Sequence, residues 1–186
     1  YIGPAPDGTT EIAGNSQNRG IWFNLQCANN VVGGTSAGEG NVISGNDNGA
    51  GGGVGIYIDN SLIEGPQTII GNIIGLQKDG NTLMGTLQGR GVEINGSPYA
   101  HTIGGSTASH ANVISGNDER GIYITGAAAA NSNVFGNIIG PQDDGVTAVV
   151  GNSQNFGVYI DGSATNNNIG NGVTSNGNII CLLYTS

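Results

Sequence analysis

Five copies of a Gly-Ile/Val motif are each followed by a residue whose type invites chemistry: Trp22, Tyr57, Glu93, Tyr123 and Tyr159. Four of the five are aromatic, in a chain where aromatics are only 5% of residues. Two residues further on stand Asn24, Asp59, Asn95, Thr125 and Asp161, and just before the motif stand Arg19, Val54, Arg90, Arg120 and Phe156. Rings flanked by carboxylates and guanidiniums suit a sugar: the ring stacks on an apolar C–H face while polar groups hold hydroxyls. Trp22, Tyr57, Asp59, Glu93, Tyr123, Tyr159 and Asp161 are thus candidate carbohydrate-binding residues, with a polysaccharide as candidate partner. Aromatics in register also stabilise a sheet with no ligand at all, and β-propensity alone favours Tyr there. Both readings stand at this stage.

Glu93 interrupts the aromatics and, with Arg90, is the candidate for catalysis. A lyase needs a base to take an α-proton and positive charge, often calcium, to stabilise the anion that results. A hydrolase needs two carboxylates at a set separation. Neither an acid pair nor a calcium-binding cluster of aspartates stands out, and a salt bridge between Glu93 and a neighbouring arginine is the plainer expectation. No catalytic role is assigned, and no cofactor or metal is expected. Asp7-Gly8, Asp79-Gly80 and Asp144-Gly145 read as turns. His101 and His110 lack a third ligand and read as surface histidines. Cys27 and Cys181 match no redox or metal spacing, so Cys27 reads as a structural or free thiol.

The elements that would position these residues follow from internal repetition. The motif recurs at Gly20, Gly55, Gly91, Gly121 and Gly157, with steps of roughly 30 to 36 residues, a solenoid period. Between copies lie two more short apolar runs, the second always opened by Asn: Asn41, Asn72, Asn112, Asn137 and Asn178. No long stretch has helical spacing. Three short strands per period predict a parallel β-helix of about five coils, each strand stacked about 4.8 Å from its copy.

Alternation assigns roles within a coil. Ile56 and Ile58, Ile122 and Ile124, and Val158 and Ile160 should face inward. The asparagines, tolerant of left-handed backbone, should sit at a sharp corner and stack as a ladder of amide-to-amide bonds. Val42, Ile73, Val113, Ile138 and Ile179 should face outward, and such an apolar strip needs a cover. Every second coil carries an insert whose Ile12-Ala13, Leu83-Met84 or Val149-Val150 could fold over it; a partner surface is the alternative. The trio Asp118, Glu119 and Arg120 reads as a turn.

The pattern Asn-x-Ile-Gly, Asp-Gly, Gly-Val-x-Ile and Asn-Val-Ile-Ser-Gly-Asn resembles the right-handed single-stranded parallel β-helix repeat of the pectin-lyase-like superfamily. It is closest to the tandem arrays of large secreted bacterial surface proteins. The resemblance covers residues 1–180; the tail, 181–186, breaks the pattern and resembles translated adapter sequence. It implies an all-β fold and an extracellular or cell-surface setting. The superfamily includes lyases, hydrolases, epimerases, adhesins and inert stalks, so activity does not follow from it.

Bulk properties narrow the rest. The chain has 36 glycines and only 9% charged residues, with a net charge of −9. Regular Ile and Val runs separate it from disordered chains. Four basic residues are too few for a nucleic-acid footprint, and no apolar run is long enough to span a membrane as a helix. The expectation is a structural or adhesive segment between flanking coils of a longer rod, with a polysaccharide lyase on acidic glycans as alternative. Solenoid ends without polar caps are further expected to associate end to end.

Overall fold

The computed structural model describes residues 1–13, 15–47, 52–59, 63–170 and 177–181; residues 182–186 of the tail lie outside them. The first coil holds β1 (Arg19–Phe23), β2 (Val31–Gly33) and β3 (Val42–Ile43). The second holds β4 (Val54–Asp59), β5 (Thr68–Ile70) and β6 (Ile73–Ile74), and the third β7 (Arg90–Asn95), β8 (Thr102–Gly104) and β9 (Val113–Ile114). The fourth holds β10 (Arg120–Thr125), β11 (Asn133–Phe135) and β12 (Ile138–Ile139), and the fifth β13 (Phe156–Ile160), β14 (Asn168–Ile169) and β15 (Ile179–Ile180). Like strands stack into three parallel five-stranded sheets, a right-handed parallel β-helix. Among the described residues one short 3₁₀ turn, Ala108–His110, is the only helix, and no helix is long and apolar enough to cross a membrane.

One core runs down the axis. Ile56, Ile58, Val92, Ile94, Ile122 and Ile124 of the first sheet meet Ile43, Ile74, Ile114 and Ile139 of the third, all with no solvent exposure. Each such side chain contributes about 1.5–3 kcal/mol on burial. Ile160 is 41% exposed, because β13 is an edge strand with a neighbour on one side only.

The asparagine ladder is present. Asn41 donates to Asn72 (3.1 Å), Asn72 to Asn112 (3.0 Å), Asn112 to Asn137 (2.9 Å) and Asn137 to Asn178 (3.1 Å), each from Nδ2 to Oδ1. The left-handed residue at the tight corners is not the asparagine, however. It is the preceding Gly71 (φ +68°) or Gly136 (φ +69°). A Cβ at Gly136 would lie 2.1 Å from the carbonyl oxygen of Gly105, so close coil stacking requires glycine there.

The inserts cover the middle of the outward strip of the third sheet, whereas Ile179 at its end is exposed. Leu76, Val113 and Val149 form a second apolar cluster, joined by Ile73, Leu83 and Ile138. Of the anticipated pairs, Met84 and Val149 are buried, while Ile12 and Val150 face solvent, Val150 at 79%. The reason is alternation: where a chain runs antiparallel to its neighbour, as at Pro141↔Ala148, adjacent residues face opposite ways. The inserts also bond to one another, Lys78 N–H to Gly8 C=O (2.9 Å) and Asp143 N–H to Gly80 C=O (3.1 Å). Each tip is an Asp turn: Asp7, Asp79 and Asp144 accept from the backbone and hydroxyl of Thr10, Thr82 and Thr147.

Candidate functional site

The first sheet brings the anticipated column together in register. Trp22 pairs with Tyr57, Tyr57 with Glu93, Glu93 with Tyr123 and Tyr123 with Tyr159. Each of these out-facing side chains is the immediate chain neighbour of in-facing apolar residues, as in Ile56-Tyr57-Ile58, because the strand alternates. Beside them run Arg19, Val54, Arg90, Arg120 and Phe156, also in register.

What the column does with its own groups is the central observation. The Arg19 guanidinium lies 4.7 Å from the Trp22 ring centroid and 4.4 Å from that of Tyr57. Arg120 lies 4.5 Å from Tyr123 and 4.8 Å from Tyr159, and Arg90 lies 5.5 Å from Tyr123. Phe156 packs on Tyr159 at 4.9 Å between centroids. Guanidiniums therefore stand over the ring faces that a sugar would use. The hydroxyls are engaged as well: Asn95 donates to Tyr57 Oη (2.8 Å), and Tyr123 donates to Asp161 (3.1 Å). Tyr57 is only 8% exposed, whereas Trp22 is 50% exposed.

Glu93 is buried and paired. Its carboxylate meets Arg90 at 3.1 Å. Arg90 also reaches Glu119 (3.3 Å), which binds Arg120 at 2.8 Å. Burial pushes the Glu93 carboxyl up, while Arg90 first, then Arg19 and Arg120, pull it down. Glu119, read from the sequence as part of a turn, is thus the carboxylate that bridges two stacked arginines. The signal that could have shown this was Arg90 and Arg120 falling in one register column, since two adjacent cations need a shared anion. Asp59 pairs in register with Asn95, two positions along the strand from the Tyr57 and Glu93 pair. Asn24, like Asp59, Asn95 and Asp161, is half-buried at the end of the face.

His101 is a correction. It is fully buried, not a surface residue. Its Nδ1 accepts from the backbone N–H of Gln67 (3.0 Å), and Ser97 Oγ lies 2.6 Å from Nε2. That separation matches a nucleophile and its base, but the proton is on the wrong side. With Nδ1 accepting, Nε2 carries hydrogen and donates to the serine, so it cannot take the serine proton. Neither residue meets solvent, and burial alone pushes the imidazole down to about 4. The pair is structural.

A second ladder escaped the sequence reading: Asn46 donates to Gln88 (2.9 Å), Gln88 to Asn117 (2.9 Å) and Asn117 to Gln154 (3.2 Å), all buried. It alternates Asn from the Ser-Gly-Asn corner with Gln from the segment before the motif, so no single repeated residue announces it. Among the described residues no three of His, Cys, Asp and Glu are grouped to hold a metal ion. Cys27 and Cys181 are both free thiols.

Comparison with protein-family models, curated proteins and solved structures finds no match.

Proposed function

We propose that this chain is a non-catalytic structural or adhesive segment of an extracellular surface rod, built on a repeat of the pectin-lyase-like kind. The observation that supports it is the saturation of the first-sheet face. Arginines occupy the ring faces, and the buried carboxylate of Glu93 is paired with Arg90. A lyase base must be free to reach substrate, and a sugar platform must offer open rings. Here those groups are spent on holding one coil to the next. The extracellular setting rests on the resemblance.

The same observation leaves one place for a glycan. Trp22 is half exposed at the start of the column, so carbohydrate adhesion along this face would begin there. The alternative function, a lyase acting on acidic glycans, would require Glu93 to leave Arg90.

Incubation with a panel of uronate polymers, followed by the ultraviolet absorbance of unsaturated product, separates these readings. No absorbance change is expected. A rise with any polymer, abolished by Glu93→Gln, would replace the structural reading with the lyase. Titration of Trp22 fluorescence with neutral and acidic oligosaccharides tests adhesion separately; an unchanged signal across the panel would remove the sugar role from this face.

A further inference from the structure

We infer that His101 makes the junction between the second and third coils an acid-sensitive joint. The stacked positions that open the second-sheet strands carry Asn30, Gln67, His101 and Ser132, with Asn167 bonding back to Ser132. Asn30 donates from Nδ2 to Gln67 Oε1 (2.9 Å) and from its backbone N–H to the same oxygen (3.1 Å). Asn167 Oδ1 accepts from Ser132 N–H (3.0 Å). A carboxamide keeps its donors and acceptors at any moderate pH. An imidazole does not: on protonation Nδ1 becomes a donor, and here it would point at the N–H of Gln67, itself a donor.

The surroundings give a cation no relief. Imidazole exposure is nil; Ser97 Oγ stands at Nε2 and the Gln67 N–H at Nδ1, while the backbone of His101 bonds Tyr99 C=O and Asn133 N–H. Among the described residues the titratable side chains on the packed elements are Cys27, whose carbonyl and sulfur Gln67 Nε2 meets, and Tyr99. Glu64, whose N–H bonds Cys27 C=O, is exposed. Among the described residues no carboxylate is bonded to the ring.

The sign follows. Burial depresses the folded-state pKa from 6.5 to about 4, so between those values the opened state binds the extra proton. Stability from this joint is complete above 6.5 and is lost as pH falls towards 4. Linkage across that window raises the local opening constant about twenty-fold between pH 7 and pH 5. Glu93, with its carboxyl pushed up, shifts stability in the opposite sense on acidification, so the histidine must be isolated by substitution.

The test compares the whole chain with His101→Gln, which restores a carboxamide to the stack. Hydrogen exchange at the Gln67 amide, corrected for intrinsic rates, should show protection falling roughly twenty-fold from pH 7 to pH 5 in the wild type and holding steady in the variant. Equal pH slopes in the two proteins would overturn the inference. Should the variant fail to fold, the wild-type imidazole decides by its nitrogen and carbon shifts. A ring still neutral and Nδ1-unprotonated at pH 5.5 upholds the joint, and one that is charged at pH 6 in a folded second and third coil refutes it.

Discussion

Asn112 donates from its side-chain amide to Oδ1 of Asn137 at 2.9 Å, across 25 positions of sequence and one coil of the rod. The same Asn112 accepts two bonds from Asn72, through backbone and side chain, and donates to Ile69 C=O. One residue of the third coil thus satisfies buried groups on the second and the fourth.

Asn112→Ala removes the acceptor of the buried Asn72 backbone N–H and the side-chain donor to the Ile69 carbonyl, while Asn72 Nδ2 keeps the Val32 and Ile70 carbonyls. An unsatisfied buried group costs about 1–3 kcal/mol, so a total loss of about 3 kcal/mol is expected. Urea unfolding monitored by circular dichroism measures it. A loss below about 0.5 kcal/mol would mean that the ladder is decorative.

A charge in the axial core should separate central from edge coils. Ile124→Asp places a carboxylate where exposure is nil, and loss of the folded state is expected because the uncompensated charge costs more than about 4 kcal/mol. Ile160→Asp sits at a position 41% exposed and should leave coils two to four intact. Hydrogen exchange resolved by coil distinguishes the two; equal damage would contradict a core built coil upon coil.

Glu93→Gln addresses the buried ion pair. The wild-type carboxyl is pushed up by burial, so above its unfolded value of 4.5 the folded state holds its proton longer than the unfolded one. Wild-type stability from this group therefore falls as pH rises through that window. The variant, free of the penalty, should match the wild type within about 1 kcal/mol at pH 8, with Arg90 keeping Glu119. Urea midpoints from pH 4.5 to 8 test this, and a variant much weaker at pH 8 would show that pairing outweighs desolvation.

The Asp turns titrate in a lower window. Asp7 is held at about 2 by the Thr10 hydroxyl first and then by backbone N–H groups, and Asp144 is lowered by the same kind of partners. Lowered carboxylates stabilise the fold above their unfolded pKa of 3.8, and that contribution fades as pH falls below it. Asp144→Asn should lose little at pH 7 and flatten the acid limb below pH 4 in thermal melts; an unchanged limb would remove the turns from acid sensitivity.

Arg19→Ala tests the guanidinium–aromatic packing. Removing the cation from between Trp22 and Tyr57 should cost about 0.5–1 kcal/mol and alter Trp22 emission, since the group at 4.7 Å from its ring is gone. Emission identical to wild type would argue that the contact is not kept in solution.

Much of this molecule was legible before any coordinates. The Gly-Ile/Val motif fixed the period, alternation placed Ile56, Ile58, Ile122 and Ile124 inside, and the recurring asparagines announced their ladder. These features are legible because stacking makes each coil a copy of its neighbours, so local sequence and global packing obey one rule. Features shared between unlike residues were not legible. The Asn46–Gln88–Asn117–Gln154 ladder joins different parts of the period, and Glu119 becomes a bridge only when Arg90 and Arg120 lie side by side. His101 reads as a polar residue beside a loop, and only its place under Gln67 buries it.

The amino-acid sequence by itself determined the rod: the number of coils, the inward faces, the corners and the column of outward aromatics, because each is set by spacing along the chain. Tertiary structure decided what the side chains of the column touch. Side-chain direction and distance across coils placed the arginines over the rings and Glu93 against Arg90, and neither is a property of spacing within one strand.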